Sequence, residues 1–120
     1  MSAASQPSPT APQASAAALH LYSTAELRAF EARHTKCHPQ VSLMQRAGEA
    51  VARLAVEVMR QRKSKKRVMI LAGPGNNGGD AWVAARALQV KKIPGLVWAL
   101  GEQKFGDPTA KIAHAAYVKT

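Results

Sequence analysis

The chain is poor in several things at once. Cys37 is its one cysteine among 120 residues. An internal disulfide is therefore excluded, and a single thiol fits a reducing, cytoplasmic setting. Aromatic residues make up only 5%, which leaves few rings on which nucleic-acid bases can stack. No apolar run approaches the roughly 20 residues of a membrane-crossing helix, so no membrane partner is expected. Acidic residues are scarce: 7 Asp and Glu stand against 17 Lys and Arg, a formal net charge of +10. That balance permits nucleic acid, anionic lipid or phosphorylated small molecules as partners and selects none of them. Charge is missing altogether from Met1 to Ala18, a stretch of Ala, Ser, Pro, Gln and Thr with Pro7, Pro9 and Pro12. It lacks the basic and apolar regions of a secretory signal and the Arg of a transit peptide. Residues 1–20 read as a disordered tail.

What is present suits one small α/β domain over residues 21–120. Apolar residues reach 47% of the chain, enough for a core. The most informative stretch is RVMILAGPGNNGGDAWVAARAL, from Arg67 to Leu88. Val68 to Ala72 form a short continuous apolar run, the pattern of a strand buried on both faces. Gly73 to Gly79 read as a tight loop whose backbone can approach a ligand. Asp80 then opens an Ala-rich helix through about Leu88. Strand, glycine loop and helix start together make an anion site, because free N–H groups and the helix dipole point at one spot.

Two helices precede this stretch. Ser23 and Glu26 form a capping box for a helix to about Thr35, with Leu27 and Phe30 as its expected buried side. Ser42 and Gln45 form a second box. The helix it opens carries Leu43, Met44, Ala47, Val51, Leu54, Ala55, Val58 and Met59 at helical spacing, as core or docking face. Gly48 inside it is expected where packing is close. His34, Cys37 and His38 suggest a metal site only faintly, because Pro39 ends the helix and no second ligand pair follows. The basic run from Arg60 to Arg67 reads as a solvated turn at a helix C-terminus rather than a nucleic-acid patch. Beyond the central stretch, Leu96 to Leu100 read as a second buried strand. Asp107 and Pro108 then cap and open a last helix to about Val118. The order is helix, helix, strand, helix, strand, helix, with one βαβ crossover. Two parallel strands alone do not make a stable sheet.

Gly73, Gly75 and Gly78 satisfy the dinucleotide pattern G-x-G-x-x-G, with Glu102 roughly where a ribose-binding acid belongs. No Lys-Ser or Lys-Thr follows, so the loop is not a Walker A loop. The dinucleotide pattern leaves Asn76, Asn77 and Asp80 unexplained. Two amides and a carboxylate offer donors and oxygen acceptors, and their oxygens suit a hard cation. An Asx-rich turn with Asp80 as a plain N-cap accounts for them equally well.

GPGNNGGD followed by a V-A-A-R-x-L helix resembles the N-N-x-x-D loop of the NAD(P)H-hydrate epimerases, the YjeF N-terminal domain family. Upstream, Glu26-Leu27-Arg28, Leu43-Met44 and Arg46-Ala47-Gly48-Glu49-Ala50 resemble that family's two leading helices. Ala81 stands where many members carry Gly. The resemblance implies a Rossmann-like three-layer α/β/α fold, here truncated. It implies an isomerase that interconverts the R and S epimers of hydrated NADH and NADPH, in nicotinamide cofactor repair. A companion ADP- or ATP-dependent dehydratase, domain or protein, then acts on the S epimer. Carried onto this sequence, Asn76, Asn77, Gly78, Gly79 and Asp80 are the expected substrate contacts. Asn77 is the expected ligand of a potassium ion, and Asp80 the expected catalytic residue, either orienting substrate or shuttling a proton. The resemblance covers only about the first half of the family's domain. The chain alone is therefore expected to be weak or inactive, and a non-catalytic nucleotide-binding module or partner-dependent subunit is the alternative. A homodimer stays open; a basic nucleic-acid binder is disfavoured, and a redox dehydrogenase still more.

Overall fold

The computed structural model describes residues 20–119. The expectation of a disordered tail over residues 1–20 therefore lies, His20 apart, outside the described residues. Six elements follow in the expected order: α1 (Thr24–Cys37), α2 (Leu43–Gln61), β1 (Val68–Ala72), α3 (Asn76–Val90), β2 (Gly95–Ala99) and α4 (Pro108–Val118). β1 and β2 pair in parallel from Val68 opposite Gly95 to Ala72 opposite Ala99, joined by α3 as the crossover.

The caps explain most helix starts. Ser23 Oγ accepts from the Glu26 N–H at 3.2 Å, and Glu26 Oε2 accepts from the Ser23 N–H at 2.7 Å, the complete box. At α2 only half of the expected box forms. Ser42 Oγ accepts from the Gln45 N–H at 3.1 Å, but the Gln45 amide donates to Glu49 Oε1 at 2.6 Å instead of turning back. A carboxylate one turn on is the stronger acceptor. Asp107 caps α4, taking the Thr109 N–H at 2.8 Å, with Pro108 as the first helical residue.

α3 lies at the centre, between α2 and α4 and against the strands. Ala72, Trp82, Val83 and Ala113 form one buried cluster, with Met44, Val97, Phe105 and Tyr117 around it. Ala52, Ala84 and Leu88 form a second, bordered by Val68, Ile70 and Ile93. Gly48 lets α2 close on α3: a Cβ there would lie 2.5 Å from Val83 Cβ and 3.0 Å from the Asp80 carbonyl. Only glycine fits that crossing without displacing a buried side chain.

Three expectations about burial are corrected. The strands are buried on one face, not two. Val68, Ile70 and Val97 point toward α3, whereas Met69 is 60% and Trp98 59% exposed, with Leu71 and Leu96 beside them. Alternate side chains leave a strand on opposite faces, and among the described residues the helices cover one face. Leu27 and Phe30 of α1 are exposed, and α1 buries no residue. Phe30 instead meets the Tyr22 ring at 5.2 Å and lies beneath the Arg33 guanidinium at 4.9 Å. Two large apolar side chains are too few to seat a helix on the core. The α2 stripe splits as well. Gly48 and Ala52 bury against α3, while Val51, Leu54 and Val58 face outward.

Candidate functional site

Three helix starts meet at one end of the molecule, beyond the C-terminal ends of both strands. The Ser42 hydroxyl, capping α2, pairs with the Thr109 hydroxyl in the first turn of α4 at 2.8 Å. The α3 start is wedged between them: a Cβ on Gly79 would lie 2.7 Å from Met44 Cε and 3.1 Å from Ala110 Cβ. In an open parallel α/β arrangement this is the end where ligands bind.

The loop before α3 is shorter than its glycines suggest. The helix starts at Asn76, with Gly75 as extended N-cap, and Gly78 and Gly79 are buried in the first turn. Asp80 is therefore not the N-cap; it stands one turn inside. The physical reason is space. A Cβ on Gly78 would run into the Gly73 carbonyl, and Gly79 faces Met44, so neither position has room for a side chain. Gly75 has no side chain to cap with. The first i to i−4 bond runs from the Gly79 N–H to the Gly75 carbonyl at 3.1 Å. The N–H groups of Asn76, Asn77 and Gly78 thus have no acceptor within the helix. They converge with the positive end of the helix dipole on whatever lies at the loop.

The side chains complete the picture. Asn76 and Asn77 are exposed, and Asp80 is half-buried. Among the described residues, no side-chain hydrogen bond or ion pair engages any of the three. Burial pushes the Asp80 carboxyl above the ordinary carboxylate range, and the negative charges of Asp107 and Glu31 push it the same way. The site thus offers three backbone donors without a helical acceptor, two amides and one carboxyl whose pKa burial raises. Asn76, Asn77, Gly78, Gly79 and Asp80, expected together, stand on successive positions of one helix start.

Glu102 lies in the turn after β2. Its carboxylate is exposed and faces Lys104 at 3.7 Å. Gln103 beside it is the residue that sequence reasoning missed. Its Oε1 accepts from the Trp82 indole N–H at 2.8 Å, and its Nε2 donates to the Ala72 and Leu100 carbonyls at 3.4 and 3.2 Å. One amide thus ties the ends of both strands to α3, just behind the loop. The available signal was Trp82 itself: a buried indole N–H requires an acceptor. Among the described residues, no three His, Cys, Asp or Glu side chains gather as a metal centre. An open groove of about 810 Å³ runs between α2 and α4 over Val83, Ala87 and Val90, from Ser42 and Thr109 at the loop end to Lys91, and no residue of the loop lines it.

The comparisons with known proteins agree with this geometry. A family model described as YjeF-related protein N-terminus matches residues 40–120. The chain is 40% identical over 81 residues to a bifunctional NAD(P)H-hydrate repair enzyme of Pyrobaculum aerophilum, covering 68% of this chain and 15% of that protein. It is 50% identical over 50 residues to an NAD(P)H-hydrate epimerase of Entamoeba histolytica, covering 42% and 22% of the two. A third, the NAD(P)H-hydrate epimerase of Rhodopirellula baltica, is 39% identical over 85 residues, covering 68% and 33%. The chain thus spans between 15% and 33% of the length of these relatives. With a family model matched over two thirds of its residues and the glycine-rich helix start in place, the chain belongs to the YjeF-related N-terminal family.

Proposed function

We propose that the chain carries the substrate-binding loop of an NAD(P)H-hydrate epimerase, an isomerase acting between the R and S forms of hydrated NADH and NADPH. The observation that carries this is the α3 start, where N–H groups without a helical acceptor, the exposed amides of Asn76 and Asn77 and the half-buried Asp80 carboxyl lie within one turn. The N–H groups of Asn76, Asn77 and Gly78 suit the diphosphate of the cofactor. The amides of Asn76 and Asn77 suit its polar ring substituents. Gly78 and Gly79 let the helix start pack against the Gly73 carbonyl, Met44 and Ala110, which fixes where Asn76 and Asn77 stand. Asp80 is the one titratable group of this loop. Burial raises its pKa above the ordinary carboxylate value, the direction that makes a carboxylate a stronger base toward a substrate proton.

A potassium ion fits the donor set in part. The Asn77 amide oxygen is exposed and unengaged, the kind of ligand a hard cation takes. It is one oxygen of the several such an ion requires. In this proposal Asn77 would hold the ion through its amide oxygen, and the ion would supply charge neutralisation beside the substrate. The three-layer α/β/α architecture belongs to the same proposal. It assigns the uncovered sheet face to further strands and helices of the family domain, and a dehydratase, fused in relatives named bifunctional, to the following step.

The test is binding and epimerisation measured together. Purified R-NADPH hydrate is titrated against the chain by calorimetry, and the R-to-S ratio is followed by chromatography. Binding that weakens at least tenfold in Asn76→Ala/Asn77→Ala supports the assignment of the loop. Epimerisation abolished in Asp80→Asn, with binding kept, supports the role of Asp80. Hydrate binding unchanged in Asn76→Ala/Asn77→Ala would overturn the proposal. Binding without any epimerisation favours the non-catalytic module.

A further inference from the structure

The end of the molecule opposite the loop has a character of its own. α2, α3 and α4 all finish there, beside the first residues of both strands: Tyr117 Oη donates to the Gly95 carbonyl at 3.5 Å, and Gln89 Nε2 donates to the Tyr117 carbonyl at 3.3 Å. The Val68 N–H donates to the Pro94 carbonyl at 3.0 Å, joining the 62–67 and 91–94 turns side by side. The topology therefore gathers Arg62, Lys63, Lys65, Lys66, Arg67, Lys91, Lys92 and Lys119, far apart in sequence, on one pole. All eight are exposed. None forms an ion pair among the described residues, where Arg60–Glu57 and Lys104–Glu102 are the pairs present. Of the seven acidic residues, Glu57 alone belongs to this end, and Arg60 holds it at 2.7 Å.

Helix dipoles explain part of the cluster and not all of it. Arg62, Lys91 and Lys119 are the C-cap residues of α2, α3 and α4, each placed to offset a negative helix end. Lys63, Lys65, Lys66, Arg67 and Lys92 lie beyond any cap and repel one another in the free protein. Six of the eight are lysines, compact point charges without the fork that reads phosphate bidentately. Among the described residues, no exposed aromatic ring stands with them to stack on a base. Exposed apolar side chains do: Val90 beside Lys91 and Val118 beside Lys119.

We propose that this pole is a peripheral docking surface for an anionic bilayer. Its lysines face lipid phosphate and carboxylate groups, and its apolar side chains enter the headgroup boundary. The surface is independent of the loop at the other end, which it leaves pointing away from the membrane. Juxtamembrane cations each contribute about fivefold to partitioning.

The test is sedimentation of the full chain with phosphatidylcholine vesicles, with and without phosphatidylserine, at low and high salt. One variant combines Lys63→Asn, Lys65→Gln, Lys66→Gln, Arg67→Gln and Lys92→Asn, the two Asn placed where φ is positive, 49° and 58°. A charge-matched control combines Arg28→Gln, Arg33→Gln, Arg46→Gln, Lys104→Gln and Lys111→Gln, all exposed and away from the pole. Circular dichroism confirms that both fold. The expected result is salt-sensitive binding to the phosphatidylserine vesicles, lost about a hundredfold or more in the pole variant and retained in the control. Equal loss in both variants would overturn the proposal, since net charge alone would then suffice. So would binding that does not require phosphatidylserine, or tighter binding to duplex RNA than to the vesicles.

Discussion

The two faces of the β1–β2 pair come from the same ten residues and meet opposite fates. Val68, Ile70, Ala72 and Val97 lie against the helices, whereas Met69, Leu71, Leu96 and Trp98 stand in solvent. Hydrophobicity is equal on the two sides, so composition alone does not decide burial. What decides it is which side the crossover helix takes, and α3, braced by α2 and α4, takes one. The exposed face is the molecule's unfinished side, and its energetics should differ sharply from those of the covered one.

The largest effect is expected at the covered side. Leu88→Ala empties a buried site and should cost about 2–5 kcal/mol. Leu71→Ala on the open face should stay within about 0.5 kcal/mol. Urea-unfolding midpoints of the two variants measure the contrast directly. Comparable losses would mean that the open face is covered in solution. The helix crossing gives the next effect. Gly→Ala in an ordinary helix interior stabilises by up to about 1 kcal/mol, but Gly48→Ala places its methyl against Val83 and should cost about 1–3 kcal/mol. Thermal melting tells the two signs apart.

A smaller effect separates α1 from the core. Ser23→Ala removes the capping box and should cost about 1 kcal/mol. Because α1 buries nothing, the loss should be visible as faster hydrogen exchange at Glu26 and Leu27, with the global unfolding midpoint unmoved. The tryptophans sharpen the comparison by exposure rather than by stability. Trp82 is 5% exposed and Trp98 59%. Single-tryptophan forms should therefore show strong acrylamide quenching for Trp98 and weak quenching for Trp82.

The smallest effect concerns the loop. The Asp80 pKa is raised in the folded state, so the ionised carboxylate is held less well there than in the unfolded chain. Below the ordinary carboxylate range both states are protonated and this cost is absent. It grows as pH rises through that range and is complete above the raised folded value. Asp80→Asn removes it. The variant should melt slightly higher than the parent at neutral pH, with the difference vanishing in acid. A variant that melts lower at pH 7 would show that the carboxylate is held by a favourable partner.

The caps at Ser23 and Asp107 and the element order were legible because each rests on local chemistry. A hydroxyl or carboxylate reaches an N–H two or three residues on, and Pro108 sets its own φ. The helix start was placed at Asp80 because helix propensity penalises glycine, and the actual start at Asn76 follows from contacts with Gly73 and Met44 that no local rule contains. Gln103 was silent for the same reason, since its partners Ala72 and Trp82 lie 31 and 21 residues away.

By itself, then, the sequence determined which segments are helix or strand, where most of them are capped, and that Asn76 to Asp80 form one unit of amides, glycines and carboxyl. Those properties depend on neighbours within a turn or two. Only the tertiary structure decided which strand face is covered, which side of α2 is core, why Gly48, Gly78 and Gly79 have no room for a side chain, and that scattered basic turns meet on one pole. Burial and charge gathering are set by residues distant along the chain, and the parallel pairing of β1 with β2 is what brings those residues together.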